Sequence, residues 1–339
     1  MKLLVTGGAG FIGSNFVRHV LHERRFVQVL NYDLLTYAGN SENLQDIESD
    51  PRYRFVKGDI TSVGLVDKVF EDFKPDAIVN FAAETHVDRS IHGGAADFVR
   101  TNVLGVQVLL EAVKKHKTTA FVHISTDEVF GAHPLDSGFP SVETDTFEPN
   151  SPYSASKAGG DLLCRAYFKT YGTPVMVTHA ANNYGPYHFP EKIIPFFISK
   201  ALADQPLPLY GDGKYVRDWL HVGDHCSAIL AVLERGVFGG VYNIGADNER
   251  ANIDIAKMIL GILGKPETLL AYVADRPGHD RRYSLSSEKI RRELGWRPKY
   301  GSEMFEQGLK ETVEWFLAHQ DWTARAVERV KDINNHISL

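Results

Sequence analysis

The sequence predicts a doubly wound parallel α/β sheet with a smaller, discontinuous α/β lobe. Three observations predict it. Short apolar runs alternate with stretches of helical apolar spacing through the first half of the chain, the pattern of strand–helix–strand units. A glycine-rich turn follows the first run directly. Residues able to do chemistry fall just beyond the ends of the runs, where open α/β sheets bind ligands. The 339 residues, 43% hydrophobic and 24% charged, give ordinary globular composition with length for more than one lobe.

Residues 2–6 form a short apolar run that reads as a buried parallel strand. Gly7, Gly10 and Gly13 follow as a GxxGxxG turn enclosing Phe11 and Ile12, and helical spacing resumes at 14–22. Such a turn lets backbone approach a pyrophosphate, and the helix N-terminus then favours the anion. The second run, 27–32, ends at Asp33, 20 residues beyond Gly13. An acid there is placed to accept from a ribose diol and would repel a 2′-phosphate, which favours NAD over NADP. Leu34, Thr36 and Ala38 would lie beside the adenosine.

Runs at 53–57 and 77–81 read as the third and fourth strands. Asp59, beyond the third, either caps the next helix or bonds the adenine amine. The small residues Ala82 and Ala83, beyond the fourth, let backbone approach the cofactor. His86, Asp88 and Arg89 are too irregular for a metal site and read as a solvated loop. Residues 95–115 read as one long helix whose buried Asn102 satisfies a backbone group. The run 120–124 is the fifth strand, so Ser125, Thr126, Asp127 and Glu128 emerge at the ligand face. Tyr153 and Lys157, at i and i+4, share one helix face after Pro152. A nearby ammonium, together with the positive nicotinamide of NAD, is expected to lower the tyrosine pKa and make it a base. Two adjacent carboxylates suit an acid and a base working at neighbouring carbons.

Beyond the strand 175–178 the dinucleotide pattern ends. Residues 182–186 read as turn-rich, with Asn182 and Lys192 as candidate substrate contacts. The stiff segment 206–211, containing Pro208, Leu209 and Tyr210, could lie along a nucleoside. Arg217 suits a diphosphate, against an ordinary surface salt bridge. His221 and Asp224 read as caps of a local turn, and Asn252 as an N-cap. Helices are expected at 228–234, 286–294 and 304–319, a strand at 241–244, and the tryptophans as packing. The expected division is a dinucleotide domain of residues 1–181 and about 215–247, and a lobe of 182–214 and about 248–339.

A net charge of −6 and the lack of a long basic run give no electrostatic case for nucleic acid. Cys164 and Cys226 lack metal-like spacing and are expected as buried thiols in a reducing compartment, with no metal site. No apolar span reaches transmembrane length, and the first apolar run is too short for a signal peptide. The expectation is a cytoplasmic protein without a membrane partner.

The glycine turn, the STDEVFG stretch at 125–131 and YSASK at 153–157 resemble the extended short-chain dehydrogenase/reductase superfamily. With AAETHVDRSI at 82–91 and NNYGPYHFPEKIIP at 182–195, the chain closely resembles its dTDP-glucose 4,6-dehydratases, to about residue 320. Epimerases and decarboxylases of the superfamily lack the adjacent Asp-Glu. A small departure is Phe130, where the family often has tyrosine. The resemblance implies an NAD-binding Rossmann domain and a lobe for a nucleotide sugar. It implies that Tyr153 takes the proton of the sugar 4-hydroxyl, Thr126 positions that oxygen, Glu128 removes the proton on carbon 5 and Asp127 donates to the leaving 6-hydroxyl. It extends the cofactor contacts to Ile60, Phe81, Thr101 and Asn183. The implied substrate contacts include Thr85, Ile193, Asn252, Asp275, Arg276, His279 and Tyr283. It also implies a homodimer, paired through helices at about 97–115 and 152–170.

Overall fold

The computed structural model describes residues 1–135, 138–275 and 278–330. Its principal sheet has seven strands. They are β1 (Lys2–Thr6), β2 (Gln28–Asp33), β3 (Tyr53–Lys57), β4 (Ala77–Asn80), β5 (Ala120–Thr126), β6 (Val175–Ala180) and, after three strands described below, β10 (Val241–Ile244). The order is β10-β6-β5-β4-β1-β2-β3, and every pairing is parallel. The chain winds outward from β1 through β2 to β3, then returns to β4 and proceeds the other way. This reversal opens a crevice at the carboxyl ends of β1 and β4.

Helices cover both faces, which is why β5 and β6 are buried at every residue rather than alternating. α1 (Phe11–Glu23) packs against α8 (Val222–Arg235) on one face. α2 (Val63–Phe73), α5 (Val106–His116) and α6 (Pro152–Tyr171) cover the other. α6 opens with a capping box between Ser151 and Ser154 and with Pro152 in its first turn. These devices fix the helix start, and therefore the position of Tyr153 in its first turn.

The remaining strands are β7 (Asn182–Tyr184), β8 (Leu207–Tyr210), β9 (Val216–His221), β11 (Glu249–Ala251) and β12 (Leu270–Val273). They form a three-stranded sheet, β11-β9-β7, and a two-stranded one, β12-β8. α7 (Ile193–Leu202), α9 (Asn252–Leu263), α11 (Phe305–Ala318) and α12 (Gln320–Val330) close a third apolar core around Trp219, Phe305 and Phe316. α12 was not foreseen. Its Trp322 donates to Asn43 Oδ1 at 2.9 Å, tying the end of the chain to the 3-10 helix Ser41–Ile47. No described helix is long and apolar enough to cross a membrane.

Several expectations are corrected. The long helix of 95–115 is α4 (Ala96–Val99), a π-helical stretch Arg100–Gly105, and then α5. Asn102 in that stretch does satisfy backbone: it bonds both the N–H and the C=O of Glu84, each at 2.9 Å. His86, Asp88 and Arg89 are not a solvated loop. His86 and Asp88 are buried at the start of α3 (Val87–His92). Arg89 pairs with Glu84 at 2.8 Å and stacks 3.9 Å from the Tyr37 ring. The partner ring lies far back in sequence, so local polarity misleads. Residues 182–184 are a strand rather than a turn, too short to reveal a period. Asn252 does not cap α9; Ala251 takes that position and the Asn252 side-chain oxygen is buried without a hydrogen bond. His221 does cap α8, and Asp224 receives the backbone N–H groups of Lys299 and Tyr300, each at 2.8 Å.

Candidate active site

The glycine turn is built for contact too close for a side chain. Gly7 has φ +70°, and a Cβ there would stand 2.5 Å from the Ala82 amide nitrogen. At Gly13 a Cβ would stand 2.3 Å from the Gly7 carbonyl oxygen. α1 begins at Phe11 with Gly10 in the cap position and no side chain capping it. Its first N–H groups therefore point into the crevice with their partial positive charge available to an anion. Asp33 closes the turn from the other side: its two oxygens accept the amides of Ala9 at 2.9 Å and Leu35 at 2.7 Å. Burial pushes its carboxyl pKa upward, and the two amide bonds oppose that rise. Each oxygen keeps a second lone pair for a diol. These groups fit the adenosine diphosphate part of NAD.

Leu34, Thr36, Ile60, Phe81, Ala83, Thr101 and Asn183 line the same cleft of about 340 Å³ as Gly10, Ile12 and Asp33. Asp59 lines it too, while its carboxylate accepts the Thr61 amide at 2.8 Å. It thus fixes the turn before α2, whose cap position is Ser62.

β5 carries the chemistry to the crevice. It runs two residues further than the sequence suggested, through Thr126, and a 3-10 turn, Asp127–Phe130, follows. The Thr126 hydroxyl accepts the Glu128 amide at 3.3 Å and lies 3.2 Å from Asp127 Oδ1. Asp127 is 4% exposed. Burial first, and then the charge of Glu128, push its pKa up to about 8. A carboxyl so placed is protonated at neutral pH and can donate.

Lys157 is buried, and its Nζ donates to the Ile124 carbonyl oxygen at 2.7 Å. Burial lowers its pKa to about 8. The expected lowering of the Tyr153 pKa is not what these groups produce. Burial first, and then the charges of Glu128, Asp127 and Asp161, push the phenol upward, and the nearby Thr126 hydroxyl opposes them only in part. The sequence reading weighed the lysine together with the positive nicotinamide of NAD. It left out the three acids, Glu128, Asp127 and Asp161, that the fold sets against the same ring.

Six buried polar atoms on the cleft wall have no hydrogen-bond partner: Asp127 Oδ2, Asn182 Oδ1, His188 Nδ1, Glu191 Oε2, Trp219 Nε1 and His225 Nε2. Buried polar groups are normally satisfied, so this concentration marks a ligand site. His188, Glu191, Trp219 and His225 were missed by sequence reasoning. His188 and Glu191 lie in the 182–195 segment, but a lone histidine or glutamate there carries no spacing signal. Asn183 donates to the Ala181 carbonyl at 2.9 Å, so its oxygen accepts from His225 Nδ1 at 2.9 Å. Burial lowers the His225 pKa to about 3. The ring is therefore neutral, and its Nε2 offers a lone pair to the cleft.

Thr85, Lys192 and Ile193 also line the cleft. The other expected substrate residues lie beyond its wall. Arg217 is buried rather than in a surface salt bridge; it donates to the carbonyls of Val216 and Asp280 and stands 4.3 Å from the Tyr283 ring. Its charge reaches Asp127, and that of Glu128 reaches Tyr283. His279 stacks on Tyr215 at 3.6 Å and bonds Asp275 at 2.7 Å, and Tyr210 lies edge-on to it at 5.7 Å. Pro208 lies in β8, where Leu209 is 1% exposed in the lobe core and can offer a ligand only backbone. Arg276 lies outside the described residues. Among the described residues no His, Cys, Asp and Glu group could hold a metal ion, and both cysteines are buried and unbridged.

The family model of GDP-mannose 4,6 dehydratase matches residues 4–312. The dTDP-glucose 4,6-dehydratase of Xanthomonas campestris pv. campestris is 51% identical over 337 residues, 94% of each chain. The crystal structure of DesIV, the dTDP-glucose 4,6-dehydratase of Streptomyces venezuelae, was solved with NAD bound. It superposes with a TM-score of 0.91 at 49% identity, covering 96% of this chain and all of that one. UDP-glucose 4-epimerase of Thermus thermophilus, also with NAD, reaches a TM-score of 0.85 at 31% identity, over 94% of this chain and 100% of that one. The epimerase shares the fold, whereas the dehydratases share half the sequence as well. This chain belongs to the dTDP-glucose 4,6-dehydratase family, within the extended short-chain dehydrogenases/reductases.

Proposed function

We propose that this protein converts dTDP-glucose to dTDP-4-keto-6-deoxyglucose, using NAD as a bound cofactor regenerated in each turnover. The observation that carries the reading is the adjacent pair Asp127 and Glu128, with Asp127 held protonated at neutral pH, beside Tyr153 and Lys157. When bound, NAD supplies the hydride acceptor and donor for oxidation at carbon 4 and reduction at carbon 6.

The chain's own residues handle the protons. The Tyr153 phenolic oxygen takes the proton of the 4-hydroxyl, and the Thr126 hydroxyl bonds the same sugar oxygen and positions it. Burial and the neighbouring acids push the phenol upward, and the Lys157 charge one helical turn away, together with the positive nicotinamide of bound NAD, would offset that push and favour the phenolate. Once carbon 4 is a ketone, the proton on carbon 5 becomes acidic, and the Glu128 carboxylate removes it. Asp127 gives its proton to the leaving 6-hydroxyl, which departs as water and leaves a double bond between carbons 5 and 6. Hydride return to carbon 6 is matched by reprotonation of carbon 5 from Glu128, whose proton exchanges with solvent. Elimination thus needs one carboxyl charged and its neighbour neutral, and burial of Asp127 beside Glu128 supports that split.

The glycine turn and Asp33 hold the cofactor. Residues 182–214 and about 248–330 form the lobe that receives the nucleotide sugar, with Lys192, Arg217, Asn252 and Tyr283 toward its nucleotide end. The protein works as a cytoplasmic homodimer. The dimer face is carried by the helical stretches around Val99, Leu104 and Leu162, which are apolar and about half exposed. Larger exposed apolar patches are typical of protein contacts.

The test is mass spectrometry of the purified protein with NAD and, separately, dTDP-, UDP-, CDP- and GDP-hexoses. Loss of one water from dTDP-glucose alone is the expected result. Loss from UDP- or CDP-glucose instead would keep the chemistry and change the substrate. No mass change with any of them would refute the dehydratase reading and favour an epimerase, whose reaction is mass-neutral.

A further inference from the structure

One unsatisfied atom on the cleft wall, His225 Nε2, has its chemistry fixed by the groups behind it. His225 is fully buried in the first turn of α8. Its neighbour Cys226 packs with Sγ 3.9 Å from the Ile12 carbonyl oxygen, so this turn lies against the start of α1, where the glycine turn ends. The His225 ring also meets Asn183, three residues beyond the end of β6.

The Ala181 carbonyl can only accept, so the Asn183 atom 2.9 Å from it is the amide nitrogen. The Asn183 oxygen therefore faces His225 Nδ1, at 2.9 Å, and that nitrogen carries the ring proton. Burial keeps the imidazole neutral. Nε2 is left as a bare lone pair, buried on the cleft wall with no partner among the described residues. A buried acceptor without a donor costs stability. The site thus calls for a ligand N–H or O–H at this point.

The sheet order decides which part of NAD comes there. The glycine turn beyond β1 and Asp33 at the end of β2 fit the adenosine diphosphate half. From β2 the order runs through β1, β4 and β5 to β6, so the other half extends toward the ends of β5 and β6. Thr126 on β5 pairs with Ala180 on β6. Asn183 and His225 therefore stand beside the residues that handle the 4-hydroxyl, where the nicotinamide must lie for hydride to leave carbon 4. A pyrophosphate has no proton to give, whereas the nicotinamide carboxamide carries an NH2 group. We propose that His225 is a cofactor-binding residue whose Nε2 accepts a hydrogen bond from the carboxamide NH2 of the nicotinamide. Half a turn of that ring about its glycosidic bond exchanges its two faces and carries the carboxamide to the opposite side. An acceptor fixed on one side therefore holds one face toward the sugar, as a ring that takes hydride from carbon 4 and returns it to carbon 6 requires. This consequence rests on the proposed reaction; the hydrogen bond does not.

The experiment is a competition for the full-length protein between NAD and its 3-acetylpyridine analogue, in which a methyl replaces the amino group and cannot donate. The protein is equilibrated with equal, saturating concentrations of both, and the bound dinucleotides are released and quantified by chromatography. The native protein should hold NAD in preference. His225→Asn puts an amide N–H where Nδ1 stood, so it keeps the bond to Asn183 and loses only the Nε2 acceptor. It should lower the ratio of bound NAD to analogue by about fivefold or more, the worth of one hydrogen bond to a buried acceptor. If that variant does not fold, His225→Leu repeats the test with the same expectation. A ratio within about twofold of the native one in a folded variant overturns the proposal, and leaves Nε2 to a ribose hydroxyl or to water. Failure of the native protein to release water from dTDP-glucose would instead refute the reaction, and the dinucleotide ratio would still read the contact.

Discussion

Asp127 lies buried against Glu128 with one oxygen in contact with the Thr126 hydroxyl and the other without a partner. The arrangement costs stability and prepares an acid. Asp127→Asn keeps the shape and the neutral charge but removes the transferable proton. It should lower kcat by about 10²–10⁴-fold, the usual worth of a general acid. NAD affinity, measured by fluorescence titration, should change little.

The same group makes a pH-dependent stability prediction. Its folded pKa, about 8, lies above the unfolded value near 3.9. The folded protein therefore binds the proton more tightly, so stability from this group is present below pH 4 and is lost as pH rises toward 8. Asp127→Asn should raise the melting temperature more at pH 8 than at pH 5. An equal shift at both values would contradict the raised pKa.

Gly13→Ala tests the glycine turn. The added methyl meets the Gly7 carbonyl oxygen at 2.3 Å and Gly8 Cα at 2.8 Å, and backbone cannot yield as a side-chain tip can. The helix start should shift and NAD binding weaken by at least about tenfold, while Gly64→Ala, which meets nothing within 4 Å, should leave binding unchanged. Isothermal titration with NAD distinguishes them.

Asp33→Ala removes the acceptor of two backbone amides and of the proposed ribose diol. A charged acceptor is worth about 1.5–3 kcal/mol, so NAD affinity should fall by about tenfold or more. The preference over NADP should narrow as well, since the repulsion of a 2′-phosphate goes with the carboxylate. Comparison of both dissociation constants is the check.

Asn102→Ala leaves the N–H and C=O of Glu84 and the Ser156 hydroxyl without their partner in a buried place. The expected loss is about 2 kcal/mol or more in urea unfolding, with activity falling because the same residue ties the β4 exit to α6.

The sheet was legible because parallel strands buried on both faces leave unbroken apolar runs, and β3 and β10 fall at the limits read from the sequence. The cofactor half of the site was legible for a related reason: glycine spacing, Asp33 and the strand ends are local signals. What escaped was set by distant contacts. Arg89 finds Tyr37 and Glu84, Trp322 finds Asn43, and neither pairing leaves a period in the sequence. His188, Glu191, Trp219 and His225 were missed because each is a single polar residue whose meaning lies in an unsatisfied atom on a shared wall. The rise of the Tyr153 pKa was missed because its causes, burial and three acids, come together only in the folded chain.

The most direct test of the central claim, that Glu128 and Asp127 divide base and acid between them, is to run the reaction on dTDP-glucose in deuterium oxide. Carbon 5 of the product is then read by NMR. The native protein should release water and carry solvent deuterium at carbon 5, and Glu128→Gln should do neither while still binding NAD. Water loss at the native rate from Glu128→Gln, or a product that keeps its original hydrogen at carbon 5, would contradict the account.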